Sequence, residues 1–397
     1  MTAPADAPMG ASAPLSEAQI LRLVIALAQE ERETAERRRL PRSQVEGWNA
    51  ATPLDETGAG FDSIARLSYL SRVAEFFGLR EIGSEDYLTL APDFGAIAQV
   101  VVRSFAIATP QLTFRTSGTT GTPKRVRHAL ATLLAEAGET GLLPGPGRIV
   151  SLVRPQHIYG FLFTVLAPAL HRRPLIDARH RPPGAVLNNA RPGDVVVGTP
   201  PHWHAAFASS PEARGVWGIT AGGPAAPALW AEARSAGLAG LCDVYGATET
   251  GGIGRRMAAE NFTLLPHLSL GAAGSIVDQS GAELPIQDRL TWTGPRQFAL
   301  AGRQDRSVSV AGETVAPAAV SALLESLPAT DTAEVVLGGE GAQPRLEAHV
   351  TVVAGSDPAA VEEAMRALCA LRLPAAARPI AYNITVQPPK AARVASS

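Results

Sequence analysis

The chain has 397 residues, of which 46% are hydrophobic and 18% charged, and a formal net charge of −2; that is enough apolar material to bury a large core spread over two or three domains. A nearly neutral, sparsely charged chain gives no basis for binding nucleic acid or an anionic membrane surface, and no apolar run reaches transmembrane length. Two cysteines, Cys242 and Cys369, make neither a disulfide framework nor a metal-ligand cluster, which fits a reducing cytoplasm.

In chain order, Met1–Pro14 is rich in Ala and Pro, lacks the basic-then-apolar order of a secretion signal and reads as a disordered tail. Residues 15–105 read as helices. Ser16 can cap a helix whose apolar positions Ile20, Leu23, Val24, Leu27 and Ala28 recur at helical spacing. A second amphipathic helix follows Gly58–Ile64, with Leu67, Leu70, Val73, Phe76 and Phe77 before Gly78. Asp62 and Ser63 at its start suit an ordinary N-cap. The same string, Gly60-Phe61-Asp62-Ser63-Ile64, also resembles the attachment site of acyl-carrier proteins, which implies phosphopantetheine on Ser63; both readings stand open at this point.

Gln111–Arg115 alternates apolar and polar residues and predicts a short strand. Directly after it comes Thr116-Ser117-Gly118-Thr119-Thr120-Gly121-Thr122-Pro123-Lys124. Glycines allow positive φ and bring backbone N–H groups close to an anion, hydroxyls add donors and the lysine adds a point charge, so the stretch reads as a phosphate-gripping loop and not as a Ser/Thr/Gly linker. It is not the G-x-x-x-x-G-K-[ST] mononucleotide loop, because Arg125 follows Lys124. Lysine occurs only at Lys124 and Lys390, in a chain that otherwise uses arginine for its cations, and a compact ammonium suits these two places.

From 106 to 302, strand-like runs at 149–153, 175–177, 195–198 and 218–221 alternate with helical stretches and predict an α/β sheet with covered faces. Ligands in such sheets sit beyond the carboxyl ends of strands, where Gly222-Gly223 and Tyr245-Gly246-Ala247-Thr248-Glu249 are expected. His202 and His204 have metal-ligand spacing but no third ligand nearby, and a surface or pocket-wall role is preferred. From Asp305 onward a small α+β domain is expected, with strands at 307–310, 332–337 and 346–353 and helices at 316–327 and 358–371.

Three of these stretches, in order, resemble the adenylate-forming enzymes, the superfamily of acyl-CoA synthetases, peptide-synthetase adenylation domains and luciferases: Thr116–Lys124, Tyr245–Glu249 as Y-G-x-T-E, and Gly302-Arg303-Gln304-Asp305 as G-R-x-D. The resemblance implies an α/β adenylate-forming fold with a reduced, helical, carrier-protein-like N-terminal part over 15–105, a core over 106–302 and a mobile C-terminal domain over 303–397 hinged at Asp305. It implies ATP, Mg2+ and coenzyme A, or the phosphopantetheine of a carrier protein, as cofactors. Tyr245 then stacks on adenine beside Gly222 and Gly223, Thr248 donates to the α-phosphate and Glu249 holds Mg2+. The ribose aspartate of that family sits in T-G-D, whereas Thr293-Gly294 is followed here by Pro295; Asp288 in Ile286-Gln287-Asp288 fits better and pairs with Arg303. Pro155-Gln156-His157-Ile158-Tyr159-Gly160-Phe161 resembles the segment that borders the acyl pocket, to which His157, Tyr159, Phe161, Gly246, Gly251 and Gly252 are assigned. The tail motif lacks its glycine: Lys390 matches the terminal lysine by residue type and Arg393 by alignment.

The short length, Phe114-Arg115-Thr116, His128-Ala129-Leu130 and His157–Phe161 look most like the compact 4-coumarate–CoA ligases associated with photoactive yellow protein. Short ligases for hydroxybenzoate-type acids, which load carrier proteins, are the alternative within the family. A carrier-bearing assembly component and a catalytically weak ligase-like binding protein are the alternatives outside it.

Overall fold

The structure, a computed structural model, describes residues 15–116, 124–139, 143–209, 212–258, 261–303, 307–310, 313–338 and 345–387. The Met1–Pro14 tail, Ser117, Gly118, Thr119, Thr120, Gly121 and Thr122 of the loop, the hinge Asp305, Lys390 and Arg393 lie outside them. The chain forms two compact units, Met1–Arg115 with Arg125–Arg181 and Thr116–Lys124 with Pro182–Ser397.

The first unit is helical at its start, as its periodicity predicts. Helix Glu17–Glu36 begins with a capping box between Ser16 and Gln19 and buries Ile20, Leu23, Val24 and Leu27 on one face. Helices Ser63–Phe76 and Phe94–Ile107 are capped by Asp62 and Asp93, whose carboxylates accept the N–H groups of Ala65 and Ala96. Tyr69 donates from its phenol to the Val24 carbonyl at 3.0 Å and stacks on Phe61, which fixes the second helix on the first. Strands β1 (Gln111–Arg115) and β2 (Arg125–Ala129) form an antiparallel hairpin in which Arg115 faces Arg125. Strands β3 (Ile149–Ser151) and β4 (Leu175–Asp177) pair in parallel.

In the second unit, β5 (Val195–Gly198), β6 (Trp217–Thr220) and β7 (Gly240–Ala247) run parallel. β5 is apolar throughout because it is buried on both faces. Trp203, on helix Pro200–Phe207, is fully buried, and a Cβ on Gly218 would come within 2.9 Å of its ring, so this glycine is what lets the indole lie against β6. The sheet then turns antiparallel through β8 (Gly251–Arg256) and β9 (Phe262–Leu264). Short strands β10 (Ser269–Leu270) and β11 (Ile276–Val277) pair separately. β12 (Asp288–Gly294) and β13 (Gln297–Arg303) form a hairpin joined to β9, giving the order β5-β6-β7-β8-β9-β13-β12. Ile253, Phe262, Leu264, Leu268, Ile276 and Phe298 are the core beneath this antiparallel half.

The C-terminal elements match the expected α+β pattern. β14 (Val308–Val310) and β15 (Glu313–Val315) make a hairpin, and β16 (Thr330–Gly338), β17 (Arg345–Val352) and β18 (Ala381–Val386) form a sheet. Helices Pro317–Glu325 and Pro358–Arg372 contribute Val320, Leu324, Met365 and Cys369 to the core that this sheet builds with Leu346, Ala348 and Val350.

Candidate active site

The two parallel strands β6 and β7 carry two of the candidate segments at their carboxyl ends. Thr220 and Asp243 are register partners; two residues beyond them lie Gly222 on one side and Tyr245 on the other. Gly222 has φ of 80° and its absent Cβ would meet nothing nearer than 3.9 Å, so backbone conformation, not crowding, selects glycine there. Tyr245 still belongs to β7, with a bulge between it and Gly246, so Thr248 and Glu249 alone of the Y-G-x-T-E residues fall in the turn to β8. Both are half-buried. Gly246 is required by packing: a Cβ would lie 2.2 Å from the Gly251 carbonyl oxygen, and Gly251 itself has φ of 72°.

Tyr245 packs against Phe262 and Phe298 with centroids 5.6 and 5.8 Å away, while its phenol donates to Asp288 Oδ2 at 2.6 Å. Asp288 opens β12 and faces Arg303, the last residue of β13. The Thr293-Gly294 dipeptide sits at the other end of this hairpin, where Gly294 pairs with Gln297 and Arg296 donates to the carbonyls of Leu264, Leu265 and Leu268. Tyr245 and Asp288 thus meet through their side chains, and Arg303 lies opposite Asp288 in the backbone register of the same sheet.

At the loop, the Thr116 N–H donates to the Lys124 carbonyl at 2.9 Å and closes the β1–β2 hairpin around the seven residues between them. Lys124 is exposed.

In the first unit, His157 precedes helix Ile158–Phe161, which runs on as a π-turn over Leu162–Leu166. Gly160 has no alternative there, since a Cβ would lie 2.0 Å from the Arg154 carbonyl oxygen. The His157 side chain is 53% exposed yet crowded by protein, with Nε2 3.7 Å from Glu30 Oε1. Burial, against the pull of Glu30 and with the push of Arg154 and Arg72, holds its pKa below the usual imidazole value, so the ring is neutral near pH 7. Tyr159 packs against Phe163 and is half-buried. Phe161, expected on the surface of the acyl pocket, is fully buried with its ring 5.5 Å from that of Phe114, so it backs β1 and presents no face to solvent.

His202 is engaged in a helix cap with Thr199, its Nδ1 2.9 Å from the threonine hydroxyl, and His204 lies 3.3 Å from Glu232. Among the described residues no group of three His, Cys, Asp or Glu side chains is placed to hold a metal ion. Ser63 is the exposed first residue of its helix, and the capping is done by Asp62. Cys242 is buried, which pushes its thiol up to about 12 and leaves it unreactive.

Two partners were not legible in the sequence. Asp243 and Arg256 form a buried ion pair across β7 and β8 at 2.9 Å, and the guanidinium lies over Trp230 and Phe262 while donating to the Ala225 carbonyl. The pair therefore ties the segment that follows Gly222-Gly223 to the strand that carries Tyr245. An arginine inside a half-buried strand gives no pattern that would announce it.

Residues 107–291 match the family described as AMP-binding enzyme. A 4-coumarate–CoA ligase of Rhodobacter capsulatus is 39% identical over 375 residues, 92% of this chain and 95% of its own length. One from Cereibacter sphaeroides is 35% identical over 85% of this chain and 83% of its own. Among solved structures, an amide bond synthetase from Marinactinospora thermotolerans shares the fold, with a TM-score of 0.60 and 18% identity over 92% of this chain and 90% of that one. No described helix is long and apolar enough to cross a membrane. The chain belongs to the adenylate-forming family of AMP-binding enzymes, in its 4-coumarate–CoA ligase-like branch, and is an AMP-forming acid–thiol ligase.

Proposed function

We propose that the acid is 4-coumarate and the acceptor thiol that of coenzyme A. The observation that carries this is the likeness to relatives named 4-coumarate–CoA ligase, which spans nearly the whole chain and includes the segments assigned to the acyl pocket. A flat aromatic acid suits the residue types assigned to it, the rings of His157 and Tyr159 in the first unit and the side-chain-free Gly246, Gly251 and Gly252 in the second.

In this reading ATP lies with its adenine against Tyr245, Gly222 and Gly223 and its ribose hydroxyls on Asp288 and Arg303. The N–H groups and hydroxyls of Thr116, Ser117, Gly118, Thr119, Thr120, Gly121 and Thr122, with the Lys124 ammonium, take the outer phosphates. A lone carboxylate, Glu249, fits Mg2+, because that ion takes most of its remaining ligands from phosphate and water. When bound, Mg2+ neutralises charge on the phosphate oxygens. A carboxylate oxygen of the acid attacks the α-phosphorus, the bond to pyrophosphate breaks, and Thr248 donates to the α-phosphate as charge develops. The neutral His157 borders the acid without adding charge. Rotation of 303–397 at Asp305 then carries the chain from the adenylating to the thioester-forming pose, in which thiolate attack on the acyl carbonyl expels AMP.

The test is pyrophosphate release from ATP and Mg2+ with 4-coumarate, with and without coenzyme A, the product read by mass. Coumaroyl-CoA is the expected product. Activation of hydroxybenzoates in preference to coumarate would move the reading to that acid class. Release of pyrophosphate without a CoA ester would point to a carrier-protein thiol, and a gain of one phosphopantetheine on Ser63 would place that thiol on the chain itself. Binding of ATP and acid without release of pyrophosphate would leave a catalytically weak ligase-like protein.

A further inference from the structure

The first unit holds a charged cluster that the mechanism above does not use. Glu75, near the end of helix Ser63–Phe76, has a side chain only 9% exposed. It accepts from Arg115 Nε at 2.6 Å and from Arg115 Nη2 at 3.1 Å, and Arg125 Nε stands 2.8 Å from its second oxygen. Arg115 and Arg125 are register partners and immediately precede Thr116 and follow Lys124. One carboxylate thus binds both arms of the hairpin at the root of the loop.

The cluster continues. Arg72, 4% exposed, lies 3.5 Å from Glu75 and 3.6 Å from Glu30, and Glu30 lies 3.7 Å from His157 Nε2 and 3.8 Å from Arg154. Two like-charged guanidiniums facing each other across a strand pair repel, and the Glu75 carboxylate between them offsets that repulsion at the root of the hairpin. Burial works against ionisation of Glu75, but the hydrogen bond from Arg115 and the charges of Arg115, Arg72 and Arg125 prevail and hold its pKa below the usual carboxylate value. The carboxylate is therefore charged at neutral pH, as the clamp needs.

We infer that Glu75 is a positioning residue for the nucleotide-phosphate loop, holding its two ends together through Arg115 and Arg125 and joining them through Arg72 and Glu30 to His157. The inference rests on the reading of Thr116–Lys124 as the phosphate loop. Backbone N–H donors aim at phosphate only if the loop ends keep their spacing, and misplacement of about 1 Å costs on the order of a hundredfold in rate.

The experiment is a double-mutant cycle of Glu75→Gln and Lys124→Ala in the full chain, reading KM for ATP, kcat for pyrophosphate release, KM for the acid and thermal unfolding. Glutamine keeps the shape and removes the charge. The expected result is a rise in KM for ATP or a fall in kcat of about tenfold to a hundredfold, with less than twofold change in KM for the acid and cooperative unfolding retained. In the double variant the two losses are expected to multiply incompletely, because the Lys124 ammonium is one of the groups that Glu75 keeps in place. Unchanged ATP parameters in Glu75→Gln, or losses that multiply fully, overturn the inference. Lys124→Ala without effect on ATP parameters would instead sink the loop reading. Should Glu75→Gln not fold, Arg125→Gln, whose wild-type side chain is 65% exposed, enters the same cycle and decides it by the same criteria.

Discussion

Replacing Tyr245 by phenylalanine separates the two things this side chain does. The ring keeps its packing on Phe262 and Phe298, and what disappears is the 2.6 Å donation to Asp288. A hydrogen bond to a charged group contributes about 1.5–3 kcal/mol. Tyr245 and Asp288 are both half-buried, so the lower end applies. About 1.5 kcal/mol corresponds to roughly a tenfold change in an equilibrium constant. If Asp288 must be oriented to receive the ribose hydroxyls, Tyr245→Phe raises KM for ATP about tenfold while kcat at saturating ATP and KM for the acid stay within about threefold. The assay is steady-state pyrophosphate release with ATP varied at saturating acid, repeated for Asp288→Asn and for the double variant. The double variant is expected to lose little beyond Asp288→Asn alone, since the phenol acts through the carboxylate. An unchanged KM for ATP in Tyr245→Phe, or full multiplication of the two effects, would refute the assignment of Asp288 as the ribose residue held by Tyr245.

Other expectations follow from particular contacts. Burial, opposed by Arg256, raises the Asp243 carboxyl from 3.8 to about 6, so the folded state holds that proton more tightly than the unfolded chain. Its contribution to stability is complete below 3.8 and is lost as pH rises through about 6, and subtracting the Asp243→Asn unfolding curve from that of wild type between pH 4 and 7 should isolate this slope. Gly246→Ala places a methyl group 2.2 Å from the Gly251 carbonyl oxygen; the backbone must give way, at about 1–3 kcal/mol, and both the thermal midpoint and adenylation should fall together. Phe298→Ala empties the centre of the antiparallel core and should destabilise the protein by about 3–5 kcal/mol in denaturant titration. A loss below about 1 kcal/mol there would mean that the core closes over the cavity, contrary to its close packing.

The sequence by itself determined most helices and parallel strands, and it marked the loop, Tyr245–Glu249 and Asp288 as candidates for the site. Each of these is written in residues that are neighbours along the chain: a cap and a periodic stripe at Glu17–Glu36, an unbroken valine run in β5, glycines where φ is positive. The antiparallel strands β8, β9, β12 and β13 were less legible, because their partly exposed faces mix glycine, arginine and aromatic residues and only pairing gives them a pattern. Tertiary structure alone decided what touches what. It joined Tyr245 to Asp288 across 43 positions and Glu75 to Arg115 across 40, and it turned Phe161 inward against Phe114. Such contacts depend on which strands pair and in what register, and register is fixed by the burial of a whole sheet face, a property no short stretch of sequence carries.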